Sequence, residues 1–168
     1  MFGLALITIT PTLTTDRTSQ TMIERLLYIS ESQLSQSEAP SVVADIVTGS
    51  VLKNVALDLT GALFFTGIYF AQILEGPSDL LDQVMSSIYR DARHTNIILI
   101  ERIPIDTRKF PDWGMAYYGP ISFVTQHVLD VLHCEEGPER HHATERLVDL
   151  AHELSVWRKL DEDAVPNR

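Results

Sequence analysis

The segment LTGALFFTGIYFAQILEG, residues 59–76, constrains the fold of this chain more than any other stretch. It holds two runs of apolar, aromatic and β-branched residues that are split near Thr66-Gly67. A glycine after such a run is typical of a tight hairpin, so two neighbouring antiparallel strands are predicted. Gln72 lies inside the second run, and an amide at that place is either a solvent-facing strand residue or a buried polar group with a specific purpose.

Strand and helix patterns alternate on both sides of this hairpin. We expect strands over 24–32, 96–105 and 113–119, and helices from Ser41 to about Asn54 and from Pro77 to about Arg93. The resulting order is β-α-β-β-α-β-β. Because both helices then cover the same face of the sheet, the pattern predicts an α+β, ferredoxin-like fold with one added strand.

The second face of this sheet also needs a cover. Two helical patterns, 122–134 and 139–160, follow the last strand and are predicted to supply it as a C-terminal helical pair. The second pattern carries one apolar stripe, which could close the domain or form the seam of a dimer. The stripe consists of Leu147, Leu150, Ala151, Leu154 and Trp157.

The 168 residues therefore divide into an N-terminal extension (1–22), one α+β domain (23–120) and a C-terminal helical extension (121–168). The extension opens with MFGLALITI, which lacks the basic start and the cleavage pattern of a signal peptide. It is also too short to span a bilayer. An extra strand, or an arm packed on a neighbouring molecule, is the expected role.

Charge and cysteine content exclude several classes of function. The formal net charge of −10 opposes binding to nucleic-acid phosphates and to anionic membranes. Cys134 is the only cysteine, so an intramolecular disulfide is impossible and a reducing cytoplasm is the expected location. His133, Cys134, His141 and His142 lack a ligand spacing typical of zinc, and no metal site is predicted.

Five short motifs resemble those of the BLUF domain, a bacterial blue-light sensor that binds a flavin. They are LLYIS, KNVALDLTG, FAQILEG, IYRDARH and FPDWGMAYY. No single motif is specific, but five of them in this order from about Arg25 to Tyr118 are highly specific. The resemblance implies a flavin, FAD in most of the family with FMN as a possibility, held edge-in between the two helices that precede and follow the hairpin.

The resemblance also implies the residues of the site. The implied photoactive residues are Tyr28, Gln72, Trp113 and Met115. The implied cofactor-binding residues are Tyr28, Ser30, Ile46, Lys53, Asn54, Gln72, Ile88, Asp91, Arg93, His94 and Met115. Trp113 and Met115 match two residues that compete for the place beside the glutamine, and that choice stays open.

Two positions depart from the family pattern. Lys53 stands where the family often has asparagine or histidine, and a lysine there could contact a flavin phosphate. Ala71 replaces an aromatic residue that commonly precedes the glutamine. We expect this replacement to loosen the packing around Gln72.

The chemistry of a tyrosine and a glutamine fits such a switch. A glutamine amide has a donor end and an acceptor end of nearly equal shape, so turning or tautomerising it reverses the hydrogen-bond pattern. The resemblance implies that Tyr28 gives an electron and a proton to the excited flavin, that protons move through Gln72, and that both return. Nothing is consumed, so the expected function is a photoreceptor and not an enzyme.

The signal is expected to pass through the last strand to the helix at 122–134. It would then reach an unidentified partner protein or the interface of a homodimer or larger homo-oligomer, as in the short BLUF proteins. A flavin-free ferredoxin-like interaction module is the alternative. A small hydrolase on this scaffold lacks support, because the sequence shows neither a nucleophile-base pair nor a phosphate-binding glycine loop.

Overall fold

The computed structural model describes residues 22–119 and 122–164. The predicted N-terminal extension therefore lies outside the described residues except for Met22, which is exposed. The described residues form β1 (Ile23–Ser32), α1 (Ala39–Ala56), β2 (Thr60–Phe65), β3 (Tyr69–Pro77), α2 (Ser78–Ile88), β4 (His94–Ile105), β5 (Ala116–Tyr118), α3 (Ser122–His133) and α4 (Pro138–Ala164). This order confirms the predicted α+β, ferredoxin-like class.

The strands form one sheet in the order β4-β1-β3-β2-β5. All neighbours pair antiparallel except β2 and β5, which are parallel. The close pairing of β2 with β3 requires a glycine at position 61, because a Cβ there would lie 2.0 Å from the carbonyl oxygen of Ile73. Within the described sheet, β1, β3 and β2 each have a neighbouring strand on both sides, and β4 and β5 form the edges.

Both faces of the sheet are covered, which explains why its strands read as continuous apolar runs. On β1, Leu26 and Tyr28 pack with α1 and α2, whereas Leu27 and Ile29 pack with α3 and α4. The prediction that the C-terminal helical pair covers the second face is thus confirmed. Ala71 packs in this second core, on the face opposite to Gln72, so the expectation that it loosens the packing around Gln72 is wrong.

The apolar stripe of α4 mainly closes the domain. Leu147 and Ala151 are fully buried against the sheet, and Leu150 and Leu154 are partly buried beside them. Trp157 is 69% exposed and lies outside this contact.

The predicted end of the second helix is wrong. We expected it to run from Pro77 to about Arg93, but Pro77 ends β3 and α2 stops at Ile88. The side chain of Asp91 accepts a hydrogen bond from the backbone N–H of Arg93 at 3.0 Å. Such a local side-chain bond competes with the helical pattern and turns the chain toward β4.

The predicted start of the last strand is wrong as well, because β5 begins at Ala116 and not at Trp113. The backbone carbonyl of Trp113 accepts from the N–H of Gly61 at 3.0 Å, while that of Gly114 accepts from the side chain of Asn54 at 2.8 Å. These bonds to different elements replace a regular ladder over 113–115.

Among the helices of the described residues, none combines the length and apolar character that crossing a bilayer requires.

Candidate functional site

A cavity of about 330 Å³ opens between α1 and α2 and ends on the sheet. Nine of the residues implied by the family resemblance line it: Tyr28, Ile46, Lys53, Asn54, Gln72, Ile88, Asp91, Arg93 and His94. Its floor comes from the central strands, whereas its walls come from the two helices. The fold thus brings together side chains that are far apart in the sequence.

Three buried side chains form a chain of hydrogen bonds at the floor of this cavity. The hydroxyl of Tyr28 donates to Oε1 of Gln72 at 2.6 Å, and Nε2 of Gln72 donates to the sulfur of Met115 at 3.6 Å. A thioether sulfur can only accept a hydrogen bond. Met115 therefore favours the amide orientation in which Oε1 faces Tyr28. The opposite orientation would place an oxygen against the sulfur with no hydrogen between them.

Tyr28 holds its phenol proton firmly. Burial raises the pKa of this phenol, the negative charge of Asp91 raises it further, and the positive charge of Arg93 acts in the opposite direction. Because burial dominates, the hydroxyl remains a hydrogen-bond donor at neutral pH. Since a protonated phenol can either donate or accept, the orientation of the Gln72 amide is set by Met115.

Met115, and not Trp113, lies beside Gln72. Met115 is buried in the core formed with α1 and α2, whereas Trp113 packs at the edge of the core formed with α3 and α4. Neither of them lines the cavity itself. The short segment 113–115, which we call the linker segment, therefore reaches from one face of the sheet to the other.

Asn54 connects the cavity wall to the linker segment. Its side chain is only 2% exposed, and its Nδ2 donates to the carbonyl of Gly114. Gly114 approaches α1 closely, since a Cβ there would lie 2.8 Å from Cγ2 of Val55. One cavity residue thus holds the same backbone segment that carries Met115.

His94 closes one end of the cavity. One of its ring nitrogens, Nε2, lies 3.0 Å from the carbonyl oxygen of Ile88, and the other, Nδ1, lies 2.7 Å from the hydroxyl of Ser30. A carbonyl can only accept, so Nε2 carries a proton. In the neutral ring Ser30 then donates to Nδ1. Ser30 is buried and does not line the cavity, so its role is to orient His94.

Charged side chains surround the mouth of the cavity. Arg93 forms a salt bridge with Asp91, which lowers the pKa of the Asp91 carboxyl through their hydrogen bonds and raises the pKa of the guanidinium. Lys53 is exposed, and its Nζ lies 3.2 Å from the hydroxyl of Ser87 on the opposite helix. Two positive charges and two carboxylates, those of Asp45 and Asp91, therefore meet where a ligand would leave the cavity.

Sequence reasoning missed seven further lining residues: Asp45, Gly49, Ser50, Leu63, Phe70, Val84 and Ser87. Helical spacing could have found those on the helices, since Gly49 and Ser50 lie one turn from Ile46. Gly49 leaves open space, because a Cβ there would meet nothing within 4 Å. Small residues one helical turn from a predicted pocket residue therefore indicate space for a bound group.

The cavity fits the ring system of a flavin. Ile46 and Ile88 on the two helices provide apolar walls, and the amides of Asn54 and Gln72 provide donors and acceptors for a polar ring edge. Its volume is at the lower end of the range for ligand pockets, so a ring fits inside while a ribityl chain and phosphates would extend past the mouth.

The fold and this cavity agree with a family comparison. The family model for BLUF, described as "Sensors of blue-light using FAD", matches residues 23–116. The chain therefore belongs to the BLUF family, a class of flavin-binding blue-light sensor domains.

Individual relatives are light-responsive proteins. The chain is similar to the blue light- and temperature-regulated antirepressor BluF of Escherichia coli, with 30% identity over 97 residues that make up 58% of this chain and 24% of that protein. It is also similar to the photoactivated adenylate cyclase subunit alpha of Euglena gracilis, with 29% identity over 110 residues. That match covers 65% of this chain and 11% of the cyclase subunit.

Solved structures show the same fold. The dark-state structure of BlrB, a BLUF protein, superposes with a TM-score of 0.64 and 28% identity, covering 76% of this chain and 96% of that chain. The photo-activated state of BlsA superposes with a TM-score of 0.68 at 22% identity, covering 78% and 95%.

The relatives differ in what accompanies the shared domain. This chain spans about a tenth of the length of the photoactivated cyclase subunits and about a quarter of the antirepressor. BLUF domains are sensor modules, so family membership supports the prediction that this domain is not an enzyme.

Proposed function

We propose that this chain is a blue-light sensor whose switch is the hydrogen-bonded series Tyr28, Gln72 and Met115. The observation that carries the proposal is the buried 2.6 Å bond from Tyr28 to Gln72 at the floor of the cavity, with the other end of the amide on an acceptor-only sulfur. A reversible change of the amide would exchange its two ends and break the bond to Met115.

The bound flavin would supply absorption of blue light and would accept an electron when excited. Tyr28 would be the nearby donor of that electron and of its phenol proton, Gln72 would relay the proton, and both would return to Tyr28. The amide of Gln72 ends with its donor and acceptor ends exchanged, and Met115 loses its hydrogen bond. One buried hydrogen bond is worth about 1–3 kcal/mol, which is enough to shift a conformational equilibrium that is close to balance.

The linker segment is the proposed route out of the site. Met115 leads directly into β5, and Trp113 packs at the edge of the core that α3 and α4 share with the sheet. Tyr118 at the end of β5 donates to the carbonyl of Ala151 in α4 at 2.9 Å. A change at Met115 would therefore reach both C-terminal helices through short contacts.

FAD is the proposed form of the flavin, with FMN as the alternative. The guanidinium of Arg93 is already paired with Asp91, whereas among the described residues Lys53 forms a hydrogen bond only with the neutral hydroxyl of Ser87. Lys53 is thus the cation best placed for a phosphate beyond the mouth of the cavity. The receiver of the signal is proposed to be a partner protein or a second copy of the chain, in the cytoplasm.

Absorption spectroscopy of the purified protein tests this function. The protein should be yellow, and its flavin absorption should shift slightly to the red under blue light and recover in darkness. Gln72→Leu should keep the pigment and lose this shift, while Gln83→Leu on the exposed face of α2 should behave as wild type. A protein that stays colourless after flavin reconstitution would instead favour the flavin-free interaction module.

A further inference from the structure

A second cluster of polar side chains lies away from the flavin cavity, where α4 crosses β4. It consists of Glu101 on β4 and of His141 and Glu145 on α4. One ligand atom from each of the three residues lies within 4.8 Å of the other two. Nδ1 of His141 already lies 2.6 Å from Oε1 of Glu101.

The backbone prearranges this cluster. His141 and Glu145 are four residues apart on one helix, the spacing at which side chains become neighbours on the same face. Glu101 pairs with Leu27 of β1, so its side chain shares the face of the sheet that Leu27 packs against α3 and α4. Two rigid elements thus hold the three side chains, and their partial exposure leaves a path for an ion to enter.

Imidazole and carboxylate together suit a divalent transition metal. Zinc binds histidine nitrogen and carboxylate oxygen at about 2.0–2.2 Å, often with three protein ligands and one water. Ligands around such an ion are separated by roughly 3–4 Å, which follows from those bond lengths. The present spread of up to 4.8 Å therefore requires only rotamer adjustments and no movement of the backbone.

Arg25 is the neighbouring cation that must be considered. It is 6% exposed and forms a salt bridge with Oε1 of Glu145. No hydrogen bond in the described part of the chain engages the second oxygen of Glu145, which leaves that oxygen for a metal. Ligating carboxylates are commonly oriented by an outer partner of this kind. Two carboxylates and one guanidinium leave a net charge of −1, which still attracts a dication.

We propose that Glu101, His141 and Glu145 bind one divalent transition-metal ion, with Zn²⁺ as the best match, and that this ion fastens α4 to β4. The ligands lie on the face of the sheet opposite to the flavin cavity, so binding does not depend on the pigment. Because α4 belongs to the proposed output of the sensor, a bound ion would restrain that output. The sequence alone did not suggest this site, since 40 residues separate Glu101 from His141.

The test measures zinc binding to the full, flavin-loaded chain in darkness by competition with a chromogenic chelator. We expect one ion per chain, and we expect Glu101→Gln and His141→Gln each to weaken binding at least about tenfold. His142→Gln changes the adjacent exposed histidine and is the matched control, and Cys134→Ser removes the only thiol. Both controls should bind zinc as wild type does.

A second readout separates this site from surface binding. Zinc should slow amide hydrogen exchange in the first half of α4 in the wild type and in His142→Gln, and not in Glu101→Gln. Absence of stoichiometric binding would overturn the proposal. It would equally be overturned if His142→Gln or Cys134→Ser weakened binding as much as Glu101→Gln. None of these results bears on the light response, which is measured separately from the flavin spectrum.

Discussion

At the scale of single residues, the orientation of the Gln72 amide depends on its two hydrogen-bond partners, Tyr28 and Met115. Tyr28 donates to Oε1 of Gln72, burial raises the pKa of its phenol, and Met115 offers only an acceptor. Met115 therefore gives the amide one preferred orientation, and the weaker of its two bonds is the one to the sulfur. If the amide exchanges its two ends as proposed, both bonds break, and the Tyr28 hydroxyl then accepts a hydrogen bond from Nε2, so the net loss is the weak bond to the sulfur.

Replacement of the donor tests this account. Tyr28→Phe leaves Oε1 of Gln72 buried without its partner and should destabilise the protein by about 1–3 kcal/mol. It should also abolish the light-induced red shift while the flavin stays bound. Urea unfolding and difference spectra would measure both effects. A variant with a wild-type red shift would contradict the proposed role of Tyr28.

Glu75 is a second buried polar residue, on the face of β3 opposite to Gln72. It is fully buried, and its Oε2 accepts from the backbone N–H of Phe110 at 3.1 Å. Its Oε1 has no partner among the described residues, and neither has the hydroxyl of Thr60, which pairs with Glu75 across the strands. Burial raises the pKa of this carboxyl, against the lowering effects of nearby N–H groups and arginines.

This raised pKa predicts a specific pH dependence. The folded state binds the proton of Glu75 more tightly than the unfolded state, so the stabilisation is complete below the ordinary pKa and is lost as pH rises through the folded pKa. Glu75→Gln has no such proton, so its stability relative to wild type should increase as the pH rises above the ordinary pKa of a glutamate and through the raised pKa of the folded state. Urea unfolding at several pH values measures this difference, with the exposed Glu153→Gln as control. A difference that stays constant or falls with pH would contradict the assignment.

At the scale of elements, the linker segment 113–115 makes contacts with three different elements. Its three residues are held in turn by β2, by α1 and by Gln72 of β3. The sequence WGMAYYG predicts a regular strand over 113–119. Tertiary contacts take up the backbone carbonyls of Trp113 and Gly114, so the strand starts only at Ala116.

The close approach of Gly114 to α1 gives a prediction for this segment. A Cβ at this position would lie 2.8 Å from Cγ2 of Val55 and 3.2 Å from the carbonyl oxygen of Val51. Gly114→Ala should therefore destabilise the protein by about 1–3 kcal/mol and disturb the bond from Asn54. The dark flavin spectrum and urea unfolding would show both changes.

Removal of the clashing methyl group provides the control. Val55 is 66% exposed, so Val55→Ala alone should change stability by no more than about 0.5 kcal/mol. The double variant Gly114→Ala with Val55→Ala should recover most of the lost stability. If it recovered none, the effect would have to come from a cause other than this contact.

At the scale of the whole molecule, the sheet is a shared wall between two cores. One core belongs to the flavin cavity and contains α1 and α2, and the other contains α3 and α4. Adjacent residues of β3 face different cores, so the side chains of Gln72 and Ile73 lie on opposite faces of the sheet. This arrangement makes the C-terminal helices a structural layer of the sensor and not an appended tail.

The importance of that layer can be measured at Leu147, which is fully buried. Leu147→Ala should lower the free energy of unfolding by about 2–5 kcal/mol, because it leaves a cavity beneath α4. Arg146→Ala on the exposed side of the same turn should change it by no more than about 0.5 kcal/mol. Equal effects of the two substitutions in urea unfolding would mean that α4 does not close the sheet.

The sequence by itself determined the class of fold and the two-sided burial of the sheet. Apolar periodicity and turn residues are local signals, and they were sufficient to predict nearly all helices and strands within a few residues. The pair Tyr28 and Gln72 was identified from the resemblance of five motifs to the BLUF family, and the structure pairs the two residues across β1 and β3.

Only the tertiary structure decided that Met115 and not Trp113 contacts Gln72, that α2 ends at Ile88, and that Glu101 meets α4. Each of these depends on hydrogen bonds between residues that are distant in the sequence, or on local side-chain bonds that compete with a helix. Such contacts follow from the register and packing of the elements once they are assembled, and no local pattern encodes them.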